Sequence, residues 1–302
     1  MPLIPAIPPQ AVPIQSGFDY VTVDPQRRRV YAAHTGSRGL LIVDADSGKV
    51  VGQVRVGSLH GVAVDPANGH VFTGDGDACT VSEVDPVGLK VLRTAAVDGA
   101  IDAIAYDPAT QRIYADEDDG TRIFVVDAKT MKSVGSVAIP GNKPEYLNVD
   151  PQTHAVYQNI SDLNEYVVVD AAQLAVTQTV PTPLLQHNHP LQYDPAYHHV
   201  LVGGSNGVLA VYDASGKLVG STPMPARVDQ CDLDRGAHVI ACAAQGTITL
   251  LRDNPSTAPT VVAQIATGKD IHTLAIDPVT HRIWAVWAEP SGDFVQAFEA
   301  GP

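Results

Sequence analysis

Apolar and polar residues alternate in short runs along the whole chain, and the runs come in groups of four. Residues 102–139 show the unit. Asp102-Ala-Ile-Ala-Tyr-Asp107 is one run, and Asp107-Pro108 opens a turn. Arg112-Ile-Tyr-Ala-Asp116 and Arg122-Ile-Phe-Val-Val-Asp127 follow, then a fourth run from about Ser133 to Ile139. Period-two alternation predicts half-buried strands, and Asp-Pro is turn chemistry. No stretch has helical periodicity long enough to compete. The unit recurs seven times, which predicts an all-β, seven-bladed β-propeller with four antiparallel strands per blade. The ring makes residues 1–302 a single domain.

Closure needs a seam. Blade seven supplies His272–Asp277, Arg282–Ala288 and Phe294–Glu299, and its fourth strand is expected from the N-terminus, within Ala6–Gln15. Residues 1–18 thus read as closing strand and lead-in, and their prolines suit an edge strand.

Several columns of the repeat are structural. The Asp that ends the first strand is followed by Pro in six of seven units, Asp234-Arg235 being the exception. Another acid ends the third strand of every unit: Asp44, Asp85, Asp127, Asp170, Asp213, Asp253 and Glu299. Short acids at strand ends accept backbone N–H groups in turns. His70, His154, His198, His199, His238 and His281 fall in or just after the Asp-Pro turn and read as polar turn positions. Trp284 and Trp287 read as core.

One column is different. Five residues before each turn Asp stands Asp19, His60, Asp102, Glu145, His189, Asp229 or His272, at intervals of 40 to 44 residues. Asp, Glu and His together make up 44 of 302 residues (33 + 11). A random column would hold only these types about once in a million. Choosing the column after inspection weakens those odds by roughly two orders of magnitude and leaves the signal standing. The first strand of every blade lines the central channel, so the seven positions converge on one mouth. A merely solvated mouth would accept Ser, Thr, Asn and Lys equally, and none occurs. Four acids together repel unless a cation or imidazolium intervenes.

Imidazole with carboxylate suits a divalent transition metal (Zn, Fe, Mn, Ni or Cu) better than Ca. The expected ligands are His60, His189 and His272, with Asp19 or Asp229 as a fourth or outer group. Glu145 or Asp102 is the expected general base. Lys143, Arg227 and His187 precede ring residues and are candidates for holding an anionic substrate group. His34 is a weaker candidate near the same face. Acidic loops at Asp75–Asp77, Asp116–Asp119, Ser161–Glu165 and Glu289–Asp293 would steer cations to the mouth.

Net charge is −14 and the sequence pI is about 5.0, which argues against nucleic acid or an anionic membrane as partner. No apolar run approaches the roughly 18 residues of a membrane helix. The partner expected is a small-molecule substrate, and the chain is expected to be a monomer. Of three cysteines, Cys231 and Cys242 fall on neighbouring strands; two buried free thiols are expected, with a disulfide as the alternative. The first residues, Met1-Pro-Leu-Ile-Pro, lack a basic region and a long apolar core, so no signal peptide is expected in this chain. There is no Gly-x-Ser-x-Gly elbow, P-loop, EF-hand or haem-attachment motif.

The units resemble the YVTN repeats of YncE-like seven-bladed propellers. The resemblance rests on Arg29-Val-Tyr-Ala-Ala33, Leu41-Ile-Val-Asp44, Arg112-Ile-Tyr114, Phe124-Val-Val-Asp127 and Gly141-Asn-Lys-Pro-Glu-Tyr146, and it covers all seven blades. It implies the fold and a periplasmic or secreted setting, and it is weak for function. Of the family's Pro before the first strand, only Pro144 remains. Related propellers place lyase or lactonase metals on the axis. The function expected is therefore a metal-dependent hydrolase, lactonase or lyase acting on a small polar substrate. The alternative is a non-catalytic metal- or cation-binding propeller or an interaction scaffold.

Overall fold

The computed structural model describes residues 3–13 and 16–301. They form seven four-stranded antiparallel sheets in ring order, with one 3₁₀ turn at Thr35–Ser37 as the only helix among them. Blades one to six span residues 21–55, 59–96, 101–138, 144–181, 188–223 and 228–266. Blade seven combines Thr273–Asp277, Arg282–Glu289 and Gly292–Ala300 with the N-terminal strand Leu3–Val12.

The closing strand starts three residues earlier than the pattern suggested. Ile14 and Gln15 lie outside the described residues. Its ladder to Gly292–Ala300 slips between Pro5 and Ile7 and again between Ile7 and Gln10. Proline lacks the N–H a regular ladder needs, so Pro5, Pro8 and Pro9 are tolerated only on an outer edge. Leu3, Ile7 and Val12 point inward and are buried.

The core is divided among the blade interfaces. In the seam, Trp284, Val286, Val295 and Ala297 of blade seven pack on Val30, Ala32, Leu41 and Val43 of blade one, with Ile7, Val12 and Phe18. Trp284 and Trp287 are fully buried, as the pattern predicted. Cys231 and Cys242 are directly opposed on the first two strands of blade six and form a disulfide, which corrects the free-thiol expectation. Opposed residues of an antiparallel pair stand about 4.5–5.5 Å apart, and here the Cα separation is 4.1 Å.

The acid columns behave as read, with one addition. Asp24, Asp107, Asp194, Asp234 and Asp277 each use Oδ1 to accept backbone N–H groups of their own turns. The second oxygen often reaches a neighbouring blade. His154 lies 2.9 Å from Asp107, His238 bonds Asp194 at 2.6 Å, His281 bonds Asp234, and Arg28 bonds Asp277 at 2.7 Å. In each case a residue four places past one turn Asp grips the turn Asp of the preceding blade. These histidines are blade-to-blade latches as well as turn residues. Asp194 is fully buried, so removing His238 leaves its Oδ2 without that partner while Oδ1 keeps the Ala196 N–H. His238→Ala is expected to cost about 1–3 kcal/mol in a denaturant melt. An unchanged midpoint would show that the latch is idle.

Candidate functional site

The ring residues do gather at one mouth, and the backbone explains how. In blades two to six the first strand carries a bulge across the ring position. The register slips between Leu59 and Val62, Ile101 and Ile104, Pro144 and Leu147, Asn188 and Leu191, and Val228 and Cys231. A bulge bends the strand and re-aims the side chain on it. Asp19 and His272 instead lie just before the first strands of their blades, Val21–Asp24 and Thr273–Asp277.

Two clusters result, each an imidazole between carboxylates. In the first, His60 Nδ1 lies 2.6 Å from Asp19 Oδ2 and 3.8 Å from Asp102 Oδ1. Ligand atoms of the three residues all fall within 4.8 Å of one another. Gly61 permits this approach. A Cβ there would sit 2.5 Å from Ile104 N and 2.7 Å from Asp102 O, so any side chain would push blades two and three apart. In the second cluster, His189 Nε2 lies 2.9 Å from Glu145 Oε2 and 3.2 Å from Asp229 Oδ1. His272 pairs with the carboxylates of neither, although its charge reaches Asp229; its Nε2 is 3.2 Å from Phe18 O. The three histidines expected to share one metal are thus divided. His60 lies with Asp19 and Asp102, while His189 and His272 line a cavity with Glu145 and Asp229.

Electrostatics tie the clusters together. Burial pushes the Asp102 carboxyl up to about 8, aided by repulsion from Asp19 and Glu145. The Asp19 hydrogen bond raises His60 against the opposing effect of burial. For His189 burial is the largest influence and lowers it, but the Glu145 hydrogen bond and the charges of Glu145, Asp229 and Asp102 together carry it up to about 10. Burial raises Asp229. The acids are therefore stabilised by imidazolium and by protonation of Asp102, the physical answer to crowding four carboxyl groups.

The second cluster opens into a cavity of about 510 Å³ that also includes Lys143, His187 and Arg227. Lys143 is held 3.3 Å from Asp119. His187 and Arg227 are exposed on the lip. His34 is not accessible: it is fully buried, 2.6 Å from Asp293, and serves the seam. Asp293 also accepts the Ser16 and Gly17 N–H groups.

The acidic loops steer less than their composition suggested, because several acids are already paired: Asp77 with Arg38, Glu117 with Arg122, Asp119 with Lys143 and Glu289 with Lys269. Asp118 remains close enough to His60 to be lowered by it, though burial dominates and raises it.

Two residues of the site escaped the sequence reading. Tyr20 follows Asp19, is buried, and donates its hydroxyl to Asp102 Oδ2 at 3.3 Å. Its ring lies 5.6 Å from that of Tyr146, which accepts from Gln192 Nε2. Together they pack across the channel below the mouth. Asp116 is wholly buried rather than a loop acid; it accepts from Ala103 N at 2.6 Å and Gln158 Nε2 at 2.9 Å. Burial raises it, and Asp102 adds to the rise. Tyrosine follows only two of the seven ring positions, Asp19 and Glu145, which makes no period, and Asp116 sits in a run of acids that looks solvated.

No family model matches the chain, and no curated protein sequence does. Solved structures do. A structure of Kuenenia stuttgartiensis hydrazine synthase superposes with a TM-score of 0.79 at 16% identity, covering 95% of this chain and 97% of that one. A chain in a structure of the mitotic checkpoint complex gives a TM-score of 0.83 at 15% identity, covering 99% and 92%. At such identities the likeness is one of fold.

Proposed function

We propose that the mouth binds a divalent transition metal on Asp19, His60 and Asp102. On this reading the protein is a hydrolase-, lactonase- or lyase-type enzyme acting on a small polar substrate in the adjoining cavity. The observation that carries it is the convergence of one imidazole and two carboxylates, on three blades, within ligand distance of one another. Ligands at 2.0–2.2 Å from a metal stand roughly 3.0–3.5 Å apart. The His60–Asp19 contact of 2.6 Å is shorter and the His60–Asp102 contact of 3.8 Å longer. Each of these two contacts lies within about half an ångström of that spacing, and one of Zn, Fe, Mn, Ni or Cu fits the donor set. When bound, the ion would supply Lewis acidity towards a carbonyl or lower the pKa of water.

The chain's own groups do the rest. Tyr20 holds Asp102 Oδ2, which leaves Oδ1 facing His60. Asp102, first read as a base, serves here as a ligand. Glu145 is the remaining base, held by His189. Arg227, Lys143 and His187 line the entrance from which an anionic group would be held. The repeat resemblance supports a place among YVTN, YncE-like propellers, and the disulfide supports an oxidising compartment.

The test is reconstitution with each of the five metals, followed by elemental analysis. One metal per chain is expected for at least one of them, and no retention of any would remove the metal reading. Retention with every ring position closed to substrate would favour the binding-module alternative. Uptake should depend on pH with a definite sign. Asp102 is protonated below about 8 and His60 is held protonated by Asp19. Ligands must lose protons to bind, so affinity is weak near pH 6 and rises through about 8, with proton release. A flat profile in a competitive titration would contradict this ligand set.

A further inference from the structure

The part of the mouth built on blades four to six has a charge pattern of its own. At the floor of the 510 Å³ cavity, one imidazole nitrogen, His189 Nε2, serves both Glu145 and Asp229. His189 Nδ1 is shut off from solvent and has no partner. One imidazole faces two carboxyl groups, so with both ionised the trio is net negative whether the ring is imidazolium or neutral. A partly buried negative charge calls for a cation.

At the lip the sign reverses. Arg227 donates its backbone N–H to Ser205 O at 2.7 Å, and its φ of 60° is left-handed. Arg227 lines the cavity and makes no ion pair among the described residues, whereas Lys143 is engaged by Asp119. Surplus anion at the floor and an unpaired planar cation at the lip face one volume.

We propose that this cavity binds a small zwitterion of the α-amino acid class, with its ammonium on Glu145 and Asp229 and its carboxylate on Arg227. An ammonium offers three donors to carboxylate oxygens, and the guanidinium fork matches a carboxylate in two parallel hydrogen bonds. The arrangement also discriminates. A dianion would be repelled by Glu145, Asp229 and the nearby Asp270, and a polyamine would be repelled by Arg227. The assignment rests on the cavity being the substrate side of the mouth, but it requires no metal.

The experiment uses the full chain after treatment with a chelator, so its outcome is independent of metal binding. Each common amino acid is titrated by ligand-observed NMR. The best is then compared with its amide, which lacks the carboxylate, and with its deaminated acid, which lacks the amine. Each analogue is expected to bind about tenfold or more weakly. Arg227→Ala should weaken the amino acid by about tenfold and leave the amide unchanged, while Glu145→Gln should weaken amino acid and amide and spare the deaminated acid. Binding by no common amino acid would overturn the assignment. So would analogues that bind as tightly as the parent, or an Arg227→Ala variant that weakens the amide equally. If the protein retains no metal yet shows this pattern, the metal reading fails and the zwitterion site stands.

Discussion

His60→Ala abolishes stoichiometric metal binding, whereas His272→Ala leaves it intact. That contrast is the expected result from the geometry at the mouth. Among the described residues His60 supplies the only imidazole within ligand distance of both Asp19 and Asp102. Loss of an outer partner costs about 10–100-fold in metal affinity, so loss of a direct ligand exceeds about 100-fold. His272 is occupied with Phe18 O and contributes nothing to the trio. Elemental analysis and a competitive chelator titration read both variants. Circular dichroism checks folding, because removing the imidazole leaves Asp19 and Asp102 to repel one another. Equal loss in the two variants would restore the three-histidine arrangement in place of the one derived from the structure.

Removing residues 1–12 opens the ring. The deletion exposes what Leu3, Ile7 and Val12 cover and strips the outer ladder from Gly292–Ala300. Burial of three such side chains is worth about 5–9 kcal/mol, comparable with the about 5–15 kcal/mol of net stability typical of a folded protein. The truncated chain should therefore melt at much lower denaturant and aggregate through the bared edge strand. A synthetic peptide of residues 1–13, added in trans, should restore much of the midpoint by strand addition. A truncated protein with an unchanged midpoint would mean that the closing strand carries little of the fold's stability.

The strands, their number per unit and the seven-fold repeat were legible because alternation and turn chemistry are local. Asp107-Pro108 and Arg122–Asp127 announce their roles within a few residues. The acid and histidine column was legible for a related reason: a closed repeat maps equal positions onto one axis. The disulfide was only half legible. The column placed Cys231 and Cys242 on adjacent strands, but their direct opposition depends on register. The latch role of His154 and His238 was hidden, since each reaches an Asp more than forty residues away on another blade.

The division of the mouth marks the same boundary. Composition and period alone determined the propeller, its N-terminal seam and the seven positions that meet at the channel. Which of those seven touch was decided by bulges in five first strands, by the close approach of blades at Gly61 and by Tyr20 beneath Asp102. A one-dimensional pattern treats the seven positions as equivalent. Side chains a few ångströms long, aimed by different local backbones, do not. Packing therefore gathers Asp19, His60 and Asp102 into one trio and Glu145, His189 and Asp229 into another, and leaves His272 to a backbone carbonyl.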